Sequence, residues 1–116
     1  MIHDSSAGIN KVLYEKLKEV AKKGGHVYYE DVAPLVHLNL NEIKDRNELS
    51  NMLGLISEHE HNKGMPMLSA VVVKKDTKLP GSGFFELAHQ LGLFKGVDKE
   101  KFFYSEIKKV WNAWRK

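Results

Sequence analysis

Two Glu-x-x-His pairs, Glu58 with His61 and Glu86 with His89, have the spacing that sets a carboxylate and an imidazole on one face of a helix. Paired motifs of this kind hold two iron or manganese ions in four-helix bundles when two further glutamates project inward, so a metal-dependent enzyme is one reading. An apolar run and a glycine-rich loop separate the two pairs, which does not suit a bundle, and no metal ligand or cofactor is assigned. A mononuclear site from His59, His61 and a carboxylate has no better support. Ser69 and Ser82 have no evident base, so no catalytic residue is assigned either. Gly81-Ser82-Gly83 could offer backbone amides to an anion. It lacks the lysine and Ser/Thr of a P-loop and the third glycine of a dinucleotide fingerprint, and reads as a turn that needs positive φ.

The residue types that suit nucleic acid are better grouped. Asn47, Ser50, Asn51 and Gly54 fall at spacings of three, one and three on the outward face of a predicted helix, with Arg46 at its start. Asparagine pairs bidentately with adenine and arginine with guanine, while serine reaches phosphate. Lys74, Lys75 and Lys78 surround a predicted exposed turn, where each can neutralise a phosphate. The far end of the same helix, Glu58-His59-Glu60-His61, is acidic and repels phosphate, so such a helix docks by its first two turns.

The whole chain sets the frame for these residues. Its 116 residues fit one domain, 1–116, with a core large enough to need no metal or disulfide staple. The absence of cysteine excludes thiol nucleophiles, disulfides and thiolate metal sites, and a cytoplasmic location is expected. No signal-peptide pattern opens the chain, and no stretch approaches the roughly 20 apolar residues that span a bilayer, so no membrane partner is expected. A net charge of +3 is too small to establish nucleic-acid binding by itself.

Periodicity supplies the elements. Ile9, Val12, Leu13, Leu17, Val20 and Ala21 lie on one face of a helix starting near Ser6 and stopped by Lys22-Lys23-Gly24-Gly25. His26-Val27-Tyr28 suits a very short strand, and Tyr29 opens a second helix that Pro34 kinks or divides. Asp45-Arg46-Asn47-Glu48 has capping-box spacing before a third helix from about Arg46 to Asn62, with Gly64 as its stop. Met67 to Val73 reads as a buried strand, and Phe84 to Leu91 as either strand or helix. Asp98 caps a final amphipathic helix whose apolar stripe is Phe102, Phe103, Ile107, Val110, Trp111 and Trp114.

This order of elements resembles a winged helix-turn-helix domain over about residues 7 to 85. Val27-Tyr28-Tyr29-Glu30-Asp31-Val32-Ala33 is similar to the entry of its second helix, and Met67 to Val73 to the strand leading into the wing. The Pro-Met-Leu-Ser-Ala-Val-Val-Val and Pro-Gly-Ser-Gly-Phe-Phe segments also resemble those of small uncharacterised bacterial proteins, which implies no activity. Alkylguanine-DNA alkyltransferases carry a similar helix entry but transfer the alkyl group to a cysteine that this chain lacks. The expectation is an α+β, mainly helical winged-helix-like domain with a short sheet, associated with duplex DNA or with a DNA-bound protein and without catalysis. A protein-interaction or homodimerisation module, using Phe102, Phe103, Trp111 and Trp114, is the alternative.

Overall fold

The computed structural model describes residues 8–115. Helix α1 (Lys11–Lys22) opens at Asn10, whose side-chain oxygen accepts the N–H of Leu13 at 3.0 Å. The start expected near Ser6 lies outside the described residues. Leu13, Leu17, Val20 and Ala21 form the buried stripe, and Ile9 packs against the core from outside the helix. Val12, expected on that stripe, is 57% exposed, because it lies about 100° around the helix from Leu13. Gly24 at φ 68° ends the helix, and the N–H of Gly25 returns to the Val20 carbonyl at 3.1 Å.

Strand β1 (Val27–Tyr28) follows and pairs in parallel with β2 (Val72–Val73), Val27 opposite Val72 and Tyr28 opposite Val73. Pro34 divides the next segment as expected: α2 (Tyr29–Val32) is one turn, and Ala33–Val36 is a tighter 3-10 turn. Helix α3 (Ile43–Asn62) starts before Arg46, so the expected Asp45–Glu48 capping box does not form. The Asp45 carboxylate instead accepts the N–H of Asn39 at 2.8 Å and fastens the incoming loop. Gly64 at φ 78° stops the helix.

Met67 to Val73 is buried throughout, but only Val72–Val73 is strand. Leu68–Val71 is a 3-10 turn that closes on itself, Ala70 N–H reaching the Met67 carbonyl at 3.1 Å. The reason is packing: α1, α3 and α5 all press on this turn, leaving no side open for neighbouring strands. Two buried side chains serve its backbone. Glu106 Oε2 accepts the N–H of Met67 at 2.9 Å, and Ser57 Oγ accepts that of Ser69 at 2.9 Å. The two serine hydroxyls are themselves 2.6 Å apart.

Phe84 to Gln90 is wholly helical, as part of α4 (Ser82–Gln90), with Gly92 ending it at φ 78°. Asp98 caps α5 (Lys99–Trp114) by accepting the Lys101 N–H at 3.0 Å. The α5 stripe faces the chain's own core. Phe103, Ile107 and Val110 are buried, Phe102, Trp111 and Trp114 pack beside them, and Trp111 Nε1 donates to the Gly25 carbonyl at 2.9 Å. The result is a mainly helical α+β structure with one two-stranded parallel sheet among the described residues. No described helix is long and apolar enough to cross a membrane.

A polar cluster joins α1 to the end of α3. Glu60 is fully buried; its Oε2 accepts the Tyr14 hydroxyl at 2.5 Å and lies 3.1 Å from Lys63 Nζ, which also donates to Tyr14 at 3.2 Å. Burial, and then the hydrogen bond to Glu60, raise the Tyr14 pKa above its ordinary value. Burial lowers that of Lys63, but its bonds to Tyr14 and Glu60 outweigh this and leave it raised.

Both folded-state values are raised, so the stability they contribute is complete below the ordinary range near 10 and is lost as pH rises through the folded values. Denaturant midpoints are expected to hold level at neutral and mildly alkaline pH and to fall above about pH 10, with a shallower fall in Tyr14→Phe. An equal fall in both proteins would exclude Tyr14 as a cause. Glu106→Ala leaves the buried Met67 N–H without an acceptor and should cost about 1–3 kcal/mol in urea unfolding at neutral pH.

Candidate nucleic-acid interface

Helix α3 buries Leu49, Leu53 and Ile56 and leaves Arg46, Asn47, Ser50 and Asn51 exposed. The first half of this exposed face forms one wall of a cleft of about 460 Å³. Gly81, Ser82 and Gly83, at the N-terminus of α4, form the opposite wall, with Tyr29, Leu40, Leu49 and Lys74 completing the lining. Arg46, Asn47, Ser50 and Lys74 therefore share one concavity, although Lys74 is distant from the others in sequence. Asn51 lies in the adjoining shallow recess with Lys44, and Asn47 lines both.

Tyr29 positions the cleft. Its hydroxyl accepts the Gly81 N–H at 2.8 Å, tying the loop before α4 to the end of the sheet. Burial raises the Tyr29 pKa, and the Gly81 bond only partly offsets this, so the phenol stays protonated at neutral pH. Tyr29 and Leu40 were not singled out from sequence. Their role depends on contacts with distant segments, which no local pattern announces.

The glycines act differently from expectation. Gly81 has φ −72°, and Gly83 is not among the residues with positive φ, so the segment is not a left-handed turn. What they supply is space. A Cβ on Gly81 would meet the Tyr29 hydroxyl at 3.3 Å, and one on Gly83 would lie 2.5 Å from Ser50 Oγ. Gly54, expected on the outward face of α3, instead turns toward α4, where a Cβ would meet Leu87 at 3.8 Å. A small cavity of about 20 Å³, roughly one water's worth, remains between Tyr29, Ser50, Ser69 and Gly83 on one side and the apolar side chains of Leu53, Phe84 and Leu87 on the other.

The three lysines occupy the turn after β2. The N–H of Lys78 bonds the Lys74 carbonyl and that of Lys74 bonds the Leu79 carbonyl, both at 2.9 Å, so the chain folds back at once. Lys78 Nζ donates to the Tyr28 hydroxyl at 2.8 Å, and Lys75 Nζ lies 5.8 Å from the centre of that ring. Glu30 and Asp76 share a surface depression with Lys74 and Lys75, which reduces the local positive charge. At the other end of α3, Glu60 is internal, so the acidic surface foreseen there is smaller than its sequence implies.

The two Glu-x-x-His pairs do not form a shared centre: among the described residues no group of three His, Asp or Glu side chains could hold a metal ion. Comparison of the chain with protein-family models, with curated proteins and with solved structures returns no match.

The Ser50–Gly83 approach yields a test. Gly83→Ala and Ser50→Ala are expected to be non-additive in stability by about 0.5 kcal/mol or more, because removing the hydroxyl admits the new methyl group. Additive values from denaturant unfolding would show that this contact does not constrain the cleft.

Proposed function

We propose that this chain is a non-catalytic nucleic-acid-associated domain of winged-helix type that meets duplex DNA with the first half of α3 and the lysine turn after β2. The observation that carries the reading is the grouping of Arg46, Asn47, Ser50 and Lys74 around one open cleft, with Asn51 in the recess beside it. Arginine and asparagine read base edges, and a helix presenting small side chains can approach a groove closely. Lys74, Lys75 and Lys78 are exposed and supply the sequence-independent phosphate contacts of a wing. The exposed face of α3 and the core-facing stripe of the same helix are separated, so binding requires no unfolding of the domain.

These roles are separable. Replacing Lys74, Lys75 and Lys78 by Gln should weaken binding to every duplex and reduce its salt dependence by about one unit of slope per lost phosphate contact. Asn51→Ala should cost about 1–3 kcal/mol at a preferred site and little at random sequence. Fluorescence anisotropy with duplex DNA measures both effects. Absence of binding at about 50 mM salt, where a few phosphate contacts suffice for detection, would overturn the reading.

A further inference from the structure

A furrow of about 560 Å³ lies between the connection that follows α4 and the first three turns of α5, on elements that the proposed nucleic-acid surface does not use. Its floor is aromatic. Phe94 is buried and Phe102 half-buried, with ring centres 5.1 Å apart. The connection bends at Gly92 and Gly96, both at positive φ, and leaves Leu93 38% and Val97 88% exposed on the furrow wall. Two aliphatic side chains held in water beside an aromatic floor make an apolar strip that gains by being covered.

The rim is cationic. Lys95, Lys101 and Lys109 line it, and among the described residues none of the three forms an ion pair. Both carboxylates of the furrow are already engaged: Asp98 caps α5 through the Lys101 N–H, and Glu106 is buried on the Met67 N–H. From residue 98 to residue 109 the helix offers about 16 Å of length, enough for two to three turns of a docked segment.

We propose that this furrow docks an acidic amphipathic peptide segment of a partner protein. Its apolar side chains cover Phe102, Leu93 and Val97 while its carboxylates face Lys95, Lys101 and Lys109. Charge complementarity selects the acidic partner. The apolar wall distinguishes it from nucleic acid, whose phosphates would take the lysines but leave Leu93 and Val97 in water. The site stands independently of the nucleic-acid reading, since it shares no residue with the cleft.

The test uses the full isotope-labelled chain and a panel of short synthetic peptides with leucines at helical i, i+3, i+4 and i+7 positions among Asp and Glu. Two control panels replace the acids by Lys or the leucines by Ser. Amide shifts confined to residues 93–109 are expected with the acidic leucine peptides alone. Combining Lys101→Glu with Lys109→Glu should weaken binding about tenfold, with thermal melting unchanged because both side chains are exposed. Val97→Asp, also exposed, should weaken it comparably and provides a second variant. The proposal is overturned by no shifts at millimolar peptide, or by equal binding of the leucine-free panel. It is equally overturned by short duplex DNA or anionic vesicles shifting the same residues as strongly, or by charge reversal without effect.

Discussion

Burying Met67 to Val73 among three helices and a strand imposes one requirement on its surroundings: every backbone polar group taken from water must find a partner inside. The segment meets it with four devices. A 3-10 turn closes part of the ladder locally, β1 takes the exit through two parallel pairs, Ser57 serves Ser69, and Glu106 serves Met67. Buried carboxyl and hydroxyl groups are costly when unpaired, so each also fixes where its own helix can lie. Ser57 holds α3 in register with the central turn, and Glu106 does the same for α5.

The exposed cleft inherits its geometry from this interior. Pairing with β2 places the end of β1, and Tyr29 follows at once as the first residue of α2. The Tyr29 hydroxyl then reaches across to Gly81, so the loop before α4 is positioned by a residue more than fifty places earlier. On the other side, Gly54 and Gly83 let α3 and α4 come together, one against Leu87 and the other against Ser50. Omitted side chains thus shape the cleft as much as the polar groups that line it.

Charge is arranged with the same economy. A buried Glu60 shared by Tyr14 and Lys63 removes a carboxylate from the surface and ties α1 to the last turns of α3. The lysine turn lies beyond β2, while Lys95, Lys101 and Lys109 surround an apolar furrow on other elements. A net charge of +3 therefore describes neither place, because local potentials depend on which carboxylates are already engaged.

Residue types and spacing alone determined the helical stripes of Leu13, Leu17 and Val20 and of Phe103, Ile107 and Val110, the Asp98 cap, the stops at Gly24 and Gly64, and the division at Pro34. Each depends on contacts within a few residues, where steric and capping preferences act directly. The outward setting of Arg46, Asn47, Ser50 and Asn51 was legible for the same reason, as the opposite face of Leu49, Leu53 and Ile56. Only the tertiary structure decided that Met67 to Val71 coils where a strand was expected, and that Asp45 holds Asn39 where a cap was expected. It also decided that Gly81 and Gly83 provide close approach with no left-handed turn, and that Lys74 and Tyr29 join the α3 face. An apolar run reports that it will be buried but not by how many neighbours, and a glycine reports freedom but not its use. Both are settled by which distant surfaces meet.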